Sequence, residues 1–167
     1  MLKIINVQSA YLEYLYKFDF RVPKEHKNEG ANKRPFIGIL FNVDKILYFA
    51  PLSSPKPKHL KLSNKALDVY KIDEGRLGVI NFNNMIPVLP ECIINIDVND
   101  LPDTSKEDKQ YKNLLIKQII AINDYENQVK RKGRALYNTV IYKKCNQNLL
   151  DRCCDFLKLE QAAKIYK

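Results

Sequence analysis

The sequence predicts an α+β protein: a compact, strongly bent antiparallel sheet or small barrel packed by helices, with long helices gathered towards the C-terminus. Three observations carry this. Short apolar runs punctuated by turn-forming residues occupy roughly the first hundred positions. Near Ser105 the spacing of apolar residues changes to a helical one. Strands first and helices later is the signature of α+β rather than alternating α/β order. With 46% apolar residues and only five glycines, disorder and fibrous architectures are excluded. At 167 residues the chain fits one domain, 1–167, large enough to bury a core without metals or disulfides.

Residues 2–7 read as a strand, and Ser9 is placed to cap a helix carrying Tyr11, Leu12, Tyr14, Leu15 and Phe18, which stops near Pro23. Residues 23–34 are polar and aperiodic, predicting a loop or lid. Two buried strands, 35–41 and 46–50, follow as a hairpin, then a loop rich in proline, serine and lysine over 51–61. Further strands are predicted near 67–72, 78–82 and 92–96. The longest helix begins behind Asp103, Thr104 and Ser105, with Tyr111, Leu114, Leu115, Gln118, Ile119, Ile122 and Tyr125 on one face. Gly133 is expected to break it. A second helix runs to Lys144, and a last one covers 149–166 behind Asn146 and Asn148.

The net charge of +9 points to an acidic partner, and its distribution says more. Residues 20–62 carry nine basic against three acidic side chains, residues 63–104 three against seven, and residues 105–167 fourteen against seven. Two basic regions thus flank an acidic middle, as expected when one face is kept for a polyanion. The first residues have no signal-peptide pattern and no apolar stretch approaches membrane-spanning length, so a cytoplasmic protein with no membrane partner is expected. Cys92, Cys145, Cys153 and Cys154 lack zinc spacing and are expected to be reduced, partly buried thiols.

Carboxylates are scattered rather than clustered, which disfavours a metal-dependent nuclease, and no cofactor is expected. His26 and His59, the two histidines, fall in lysine-rich segments and read as solvated, with His59 a minor acid or base candidate. Ser53-Ser54-Pro55-Lys56 remains, where an apolar strand ends. Pro51 and Pro55 restrict the backbone about the two hydroxyls, and Lys56 brings a positive charge. By itself this composition is that of an ordinary turn.

The segments Tyr11-Leu12-Glu13-Tyr14-Leu15-Tyr16-Lys17-Phe18-Asp19-Phe20-Arg21-Val22-Pro23, Arg34-Pro35-Phe36-Ile37-Gly38-Ile39, Tyr48-Phe49-Ala50-Pro51-Leu52-Ser53-Ser54-Pro55-Lys56 and Gly78-Val79-Ile80-Asn81-Phe82-Asn83-Asn84-Met85-Ile86-Pro87-Val88 resemble, in order and spacing, the ToxN/AbiQ family of type III toxin–antitoxin systems. The likeness continues through Tyr111-Lys112-Asn113-Leu114-Leu115-Ile116-Lys117-Gln118. It implies a Kid/MazF-like core, a metal-independent endoribonuclease acting on single-stranded RNA, and a repeat-derived pseudoknot antitoxin RNA that blocks the toxin in a closed protein–RNA assembly. It also implies a setting in phage defence by abortive infection. By residue it implies catalytic roles for Ser54, Ser53, Lys56, Arg34 and Tyr11, with Ser54 ahead of Ser53. The tyrosine that some relatives carry in the lid has no counterpart in residues 24–33.

Without a metal, the nucleophile is the RNA's own 2′-hydroxyl, and the protein must align it, neutralise the phosphate and move two protons. Arg34 and Lys56 supply cations; Ser54 meets the phosphate; Tyr11 stacks a base, donates its hydroxyl or belongs to the core. The general base stays open. RNA contacts are expected from Lys33, Lys58 and His59 beside the loop, and from Lys112, Lys117, Lys130, Arg131, Lys132, Arg134, Lys143 and Lys144, with Tyr137, Asn138 and Tyr142 interleaved as base-reading groups. A non-catalytic RNA-binding module and a protein-interaction subunit are the alternatives.

Overall fold

The computed structural model describes residues 1–25 and 33–167. Its strands are β1 (Lys3–Val7), β2 (Phe36–Gly38), β3 (Asn42–Val43), β4 (Ile46–Ser53), β5 (Val69–Lys71), β6 (Val79–Asn81), β7 (Ile86–Val88) and β8 (Ile93–Asn95). Its helices are α1 (Ser9–Tyr16), α2 (Pro57–Lys61), α3 (Lys106–Asp124), α4 (Glu126–Ile141), α5 (Gln147–Arg152) and α6 (Phe156–Ile165). This is the predicted α+β class. The strands pair antiparallel in the order β5-β6-β4-β2-β1-β8, with β3 and β7 also on β4. Among the described residues, β5 and β8 end the order without pairing to each other, so the sheet is open and does not close into the small barrel that was the alternative.

Strand β4 organises this sheet because it is long, almost wholly buried and shared along both edges. On one edge Val43 pairs with Ile46 and Phe36 with Pro51; on the other Ile86 pairs with Phe49 and Val79 with Ser53. Proline inside a central strand would normally leave a gap in the ladder. The Leu52 amide donates to the Pro35 carbonyl on the β2 side. By alternation the missing N–H of Pro51 falls on the opposite edge, between the last residue paired to β7 and the first paired to β6. Pro51 therefore costs no strand hydrogen bond.

Several sequence expectations shift by a few residues for local reasons. Ser9 is the first helical residue rather than the cap, its hydroxyl donating to Glu25, and α1 ends at Tyr16. The 51–61 loop is shorter than expected, since β4 runs through Ser53 and α2 fills Pro57–Lys61 with proline in its first turn. Ser105 does cap α3, in a reciprocal box with Asp108. Gly133 does not break the long helix. It is buried within α4, where a Cβ would approach the Phe82 ring at 3.3 Å, so its role is close packing of helix on sheet. The break comes at Tyr125, between α3 and α4. The last helix is two, α5 and α6, with buried Cys153 and Cys154 at the joint and Asp155 capping α6. Part of the predicted lid, residues 26–32 with His26, lies outside the described residues.

Two buried carboxylates fasten the helices. Glu160 of α6 accepts hydrogen bonds from the hydroxyls of Tyr48 (2.6 Å) and Tyr137 (2.7 Å), inside rings contributed by Phe41 and Phe156. Burial and this carboxylate together push both phenols well above the ordinary tyrosine range. Asp19 accepts from the Arg21 guanidinium and from the Asp155 amide, while Arg21 donates onward to the carbonyls of Leu150 and Asp151. The arginine hydrogen bond and the backbone donors outweigh burial and hold the Asp19 carboxyl below its usual range.

Replacing Glu160 by alanine leaves two buried phenols without their shared acceptor, and we expect a loss of about 2–4 kcal/mol in urea unfolding. Glu160→Gln keeps an acceptor oxygen and should recover a substantial part. Equal losses in the two variants would show that neither the volume of the side chain nor a neutral acceptor carries the effect, since glutamine keeps both.

Candidate active site

The predicted serine–lysine motif leaves the sheet at the end of β4, and both flanking strands contribute to its position. Extending the β2–β4 register by two residues sets Arg34 opposite Ser53 and Lys33 opposite Ser54. Tyr111 of α3 donates from its hydroxyl to the Lys33 carbonyl. On the other edge Val79 pairs with Ser53, which puts Gly78 against Ser54. Gly78 has φ +95°, and a Cβ there would lie 1.9 Å from the Ser53 carbonyl oxygen, so only glycine permits this approach.

The two hydroxyls differ. Ser53 is half-buried, and its Oγ accepts a 2.7 Å hydrogen bond from Asn81 Nδ2, which leaves its own proton to donate outward. Ser54 is exposed, as is Lys56. Beneath them Gln118, 1% exposed on α3, donates through Nε2 to the carbonyls of Leu77 (2.7 Å) and Ser53 (3.4 Å). One helix side chain thus clamps the end of β4 to the segment leading into β6.

Beyond Pro55 the chain turns into α2. His59 is not the solvated side chain expected from sequence: it is 3% exposed, and its Nδ1 accepts from the Lys56 amide at 3.2 Å. Nδ1 is therefore the acceptor nitrogen and the neutral ring's proton resides on Nε2. Burial first, then the charges of Lys58 and Lys56, lower the His59 pKa. Gly75, also at positive φ, packs its Cα against the His59 carbonyl. The imidazole consequently fixes the backbone that presents Lys56 and is not part of an RNA-facing surface.

Tyr11, expected at the site, is fully buried. Its hydroxyl donates to the Pro87 carbonyl, its ring packs edge-on to Tyr166, and burial raises its pKa well above the ordinary value. Its helical spacing belongs to the core. Arg34 is half-buried, with Nε donating to the Lys24 carbonyl, and Lys33 and Lys58 are exposed.

The C-terminal cations do not form one uniform surface. Lys117, Arg131, Lys143 and Lys144 are exposed. Lys112 pairs with Asp103 and Lys130 with Glu126. Arg134 lies over the Phe41 and Tyr137 rings and donates to the Asn42 carbonyl, while half-buried Lys132 donates to the Val69 carbonyl. Tyr137 is buried and is removed from the base-reading groups; Asn138 and Tyr142 stay exposed. Sequence reasoning missed Asn81, Gly78 and the clamp by Gln118. A polar residue on the otherwise apolar face of α3 was the available signal.

A basic α+β protein with an open antiparallel sheet, its central strand running into Ser53, Ser54 and Lys56, is the class that fold and sequence together define. The chain belongs to the ToxN toxins of type III toxin–antitoxin systems, whose family model matches residues 3–164. It is 32% identical to the endoribonuclease ToxN of Pectobacterium atrosepticum over 159 residues, 90% of either chain. It is likewise 32% identical to the endoribonuclease ToxN of Bacillus thuringiensis subsp. kurstaki, covering 99% of this chain and 84% of that one. A solved chain from a bacterial antiviral system regulated by a processed non-coding RNA superposes with a TM-score of 0.83 at 30% identity, over 98% of both chains. Another, from a type III system in which a non-coding RNA pseudoknot inhibits the toxin selectively, gives 0.79 at 30% identity, over 98% and 96%.

Because His59 is held neutral in the fold and its pKa is lowered there, its contribution to stability is complete above the unfolded value of about 6.5 and is lost as pH falls through the lower folded value. His59→Asn retains an acceptor but does not titrate. The difference in unfolding free energy between wild type and this variant should shrink as pH is lowered below about 6.5; a difference independent of pH would show that the ring is not held neutral.

Proposed function

We propose that this chain is an endoribonuclease toxin that cuts single-stranded RNA without a metal ion and is held inactive by a repeat-derived pseudoknot RNA in a closed protein–RNA assembly. The relatives' named activity and the RNA regulators of its structural neighbours support this. The observation that carries it is the convergence of Ser53, Ser54 and Lys56 with the register position of Arg34 at one end of β4. A Kid/MazF-like core belongs to the same proposal, supported by the antiparallel sheet packed by helices. So does a cytoplasmic location in one domain, 1–167; no helix among the described residues is long and apolar enough to cross a membrane.

In this reading the 2′-oxygen of the RNA forms the new bond to phosphorus as the 5′-oxygen leaves, giving a 2′,3′-cyclic phosphate and a 5′-hydroxyl. Ser54, exposed and first to meet solvent, donates to a phosphate oxygen. Ser53 donates beside it, its lone pair already engaged by Asn81. Lys56 and Arg34 offset the charge that accumulates on the phosphate, which is where fixed donors are most effective. A serine of ordinary acidity is a poor nucleophile, so the hydroxyls act as donors and no covalent serine intermediate forms. DNA, lacking the 2′-hydroxyl, is not cut.

Purified protein with single-stranded RNA in excess EDTA should yield cyclic-phosphate ends. Ser54→Ala should reduce cleavage by about 10²-fold or more while still binding the pseudoknot RNA. Intact RNA at high enzyme concentration would exclude the nuclease. Undiminished cutting by Ser54→Ala would retain the activity and displace its site.

A further inference from the structure

A cleft of about 710 Å³ opens beside the serine–lysine corner, between the loop at Ser63 to Lys65, strand β5 with its following turn, and the α3–α4 junction. It is tied to the site through one buried side chain: Leu77 lines the cleft, and its carbonyl shares the Gln118 amide with the Ser53 carbonyl. Tyr125 stands seven residues beyond Gln118, which is about 10 Å along the helix. The break between α3 and α4 falls at Tyr125, whose ring is 60% exposed at the cleft. Across the cleft lies half-buried Tyr70, with the Lys132 ammonium 5.8 Å above its ring.

Four of the six charged side chains lining the cleft, three of each sign in all, are engaged with neighbours. Lys71 and Lys132 turn their ammonium groups to the carbonyls of Leu62 and Val69, Glu74 is met by Lys71 and Asn64, and Asp73 is paired with Arg76. A phosphate would find no field of one sign here. A neutral planar ring would find two tyrosines in the lining, and with them the Gln128 and Asn64 amides and the Asp124 carboxylate.

We propose that this cleft is a nucleobase subsite, receiving an unpaired base of an RNA whose phosphate lies at Ser53 to Lys56, with the base stacked on Tyr125 and Tyr70. The proposal rests on the reading of the neighbouring site as RNA-binding. The base comes from the substrate strand or from an unpaired end of the inhibitory RNA, and the chemistry is the same for both.

The test scans single abasic positions through a short 2′-O-methyl oligoribonucleotide, which cannot be cut, and measures affinity for wild type, Tyr125→Ala and Gln128→Ala. In wild type one position should be sensitive, with base removal weakening binding about tenfold, and that sensitivity should vanish in Tyr125→Ala. The same variants are measured against the pseudoknot RNA. A Tyr125 effect confined to the oligonucleotide assigns the cleft to substrate, and one confined to the pseudoknot assigns it to the inhibitor. An abasic profile and a pseudoknot affinity both unchanged in Tyr125→Ala overturn the subsite while leaving the cleavage site intact. If wild type binds neither RNA, the RNA reading fails and the subsite with it.

Discussion

The constraint on which the rest depends is that β4 is hydrogen-bonded along both edges. A strand with one free edge shifts register at modest cost, and a slip of one residue would reverse every side chain on it. Here β3 and β2 hold one edge while β7 and β6 hold the other. A slip would have to break four pairings together. The last residue of β4 inherits that rigidity, so Ser53 is delivered by the most constrained strand of the fold. Ser54, Pro55 and Lys56 extend only three residues beyond it before α2 begins, and His59 secures the Lys56 amide at that point.

The buried polar groups serve the same end at longer range. Glu160 joins α6 to β4 through Tyr48 and to α4 through Tyr137. Asp19 and Arg21 join the segment after α1 to the α5–α6 joint. A buried carboxylate is weak evidence for stability, because desolvation offsets much of the attraction. It is better evidence for uniqueness of packing: the helices have one arrangement in which both phenols find their acceptor. Uniform apolar contact would tolerate several.

What the sequence revealed and what it concealed divide by range. Period and turn chemistry placed the pairing of β2 with β4, the Ser105 cap and the strand-end position of the motif, because these are decided within a few residues. The helix break at Tyr125 was hidden. Gly133 looked like the breaker by propensity, yet it packs tightly on the Phe82 ring, where a Cβ would come to 3.3 Å, and tertiary contact overrode the local preference. The histidine next to the motif looked solvated because its neighbours are lysines. Its backbone meets Gly75 of the β5–β6 turn, sixteen residues on, a contact that no local pattern announces. Tyr11 had the right residue type for stacking a base, but its helical spacing carried the decisive information.

Gln118 shows how site and fold share one side chain. Its Nε2 serves two carbonyls, but Oε1 is buried with no partner among the described residues. Such an orphan costs about 1–3 kcal/mol. Leucine in its place would remove that penalty, but would leave the Ser53 and Leu77 carbonyls without this donor. The amide is therefore poorly explained as a contribution to the core alone. It is well explained by the geometry it enforces, since the two carbonyls it ties belong to the chain segments that carry the hydroxyl pair and enclose the adjoining cleft. An apolar side chain at this buried position would leave the Ser53 carbonyl, and with it the serine pair, less firmly held.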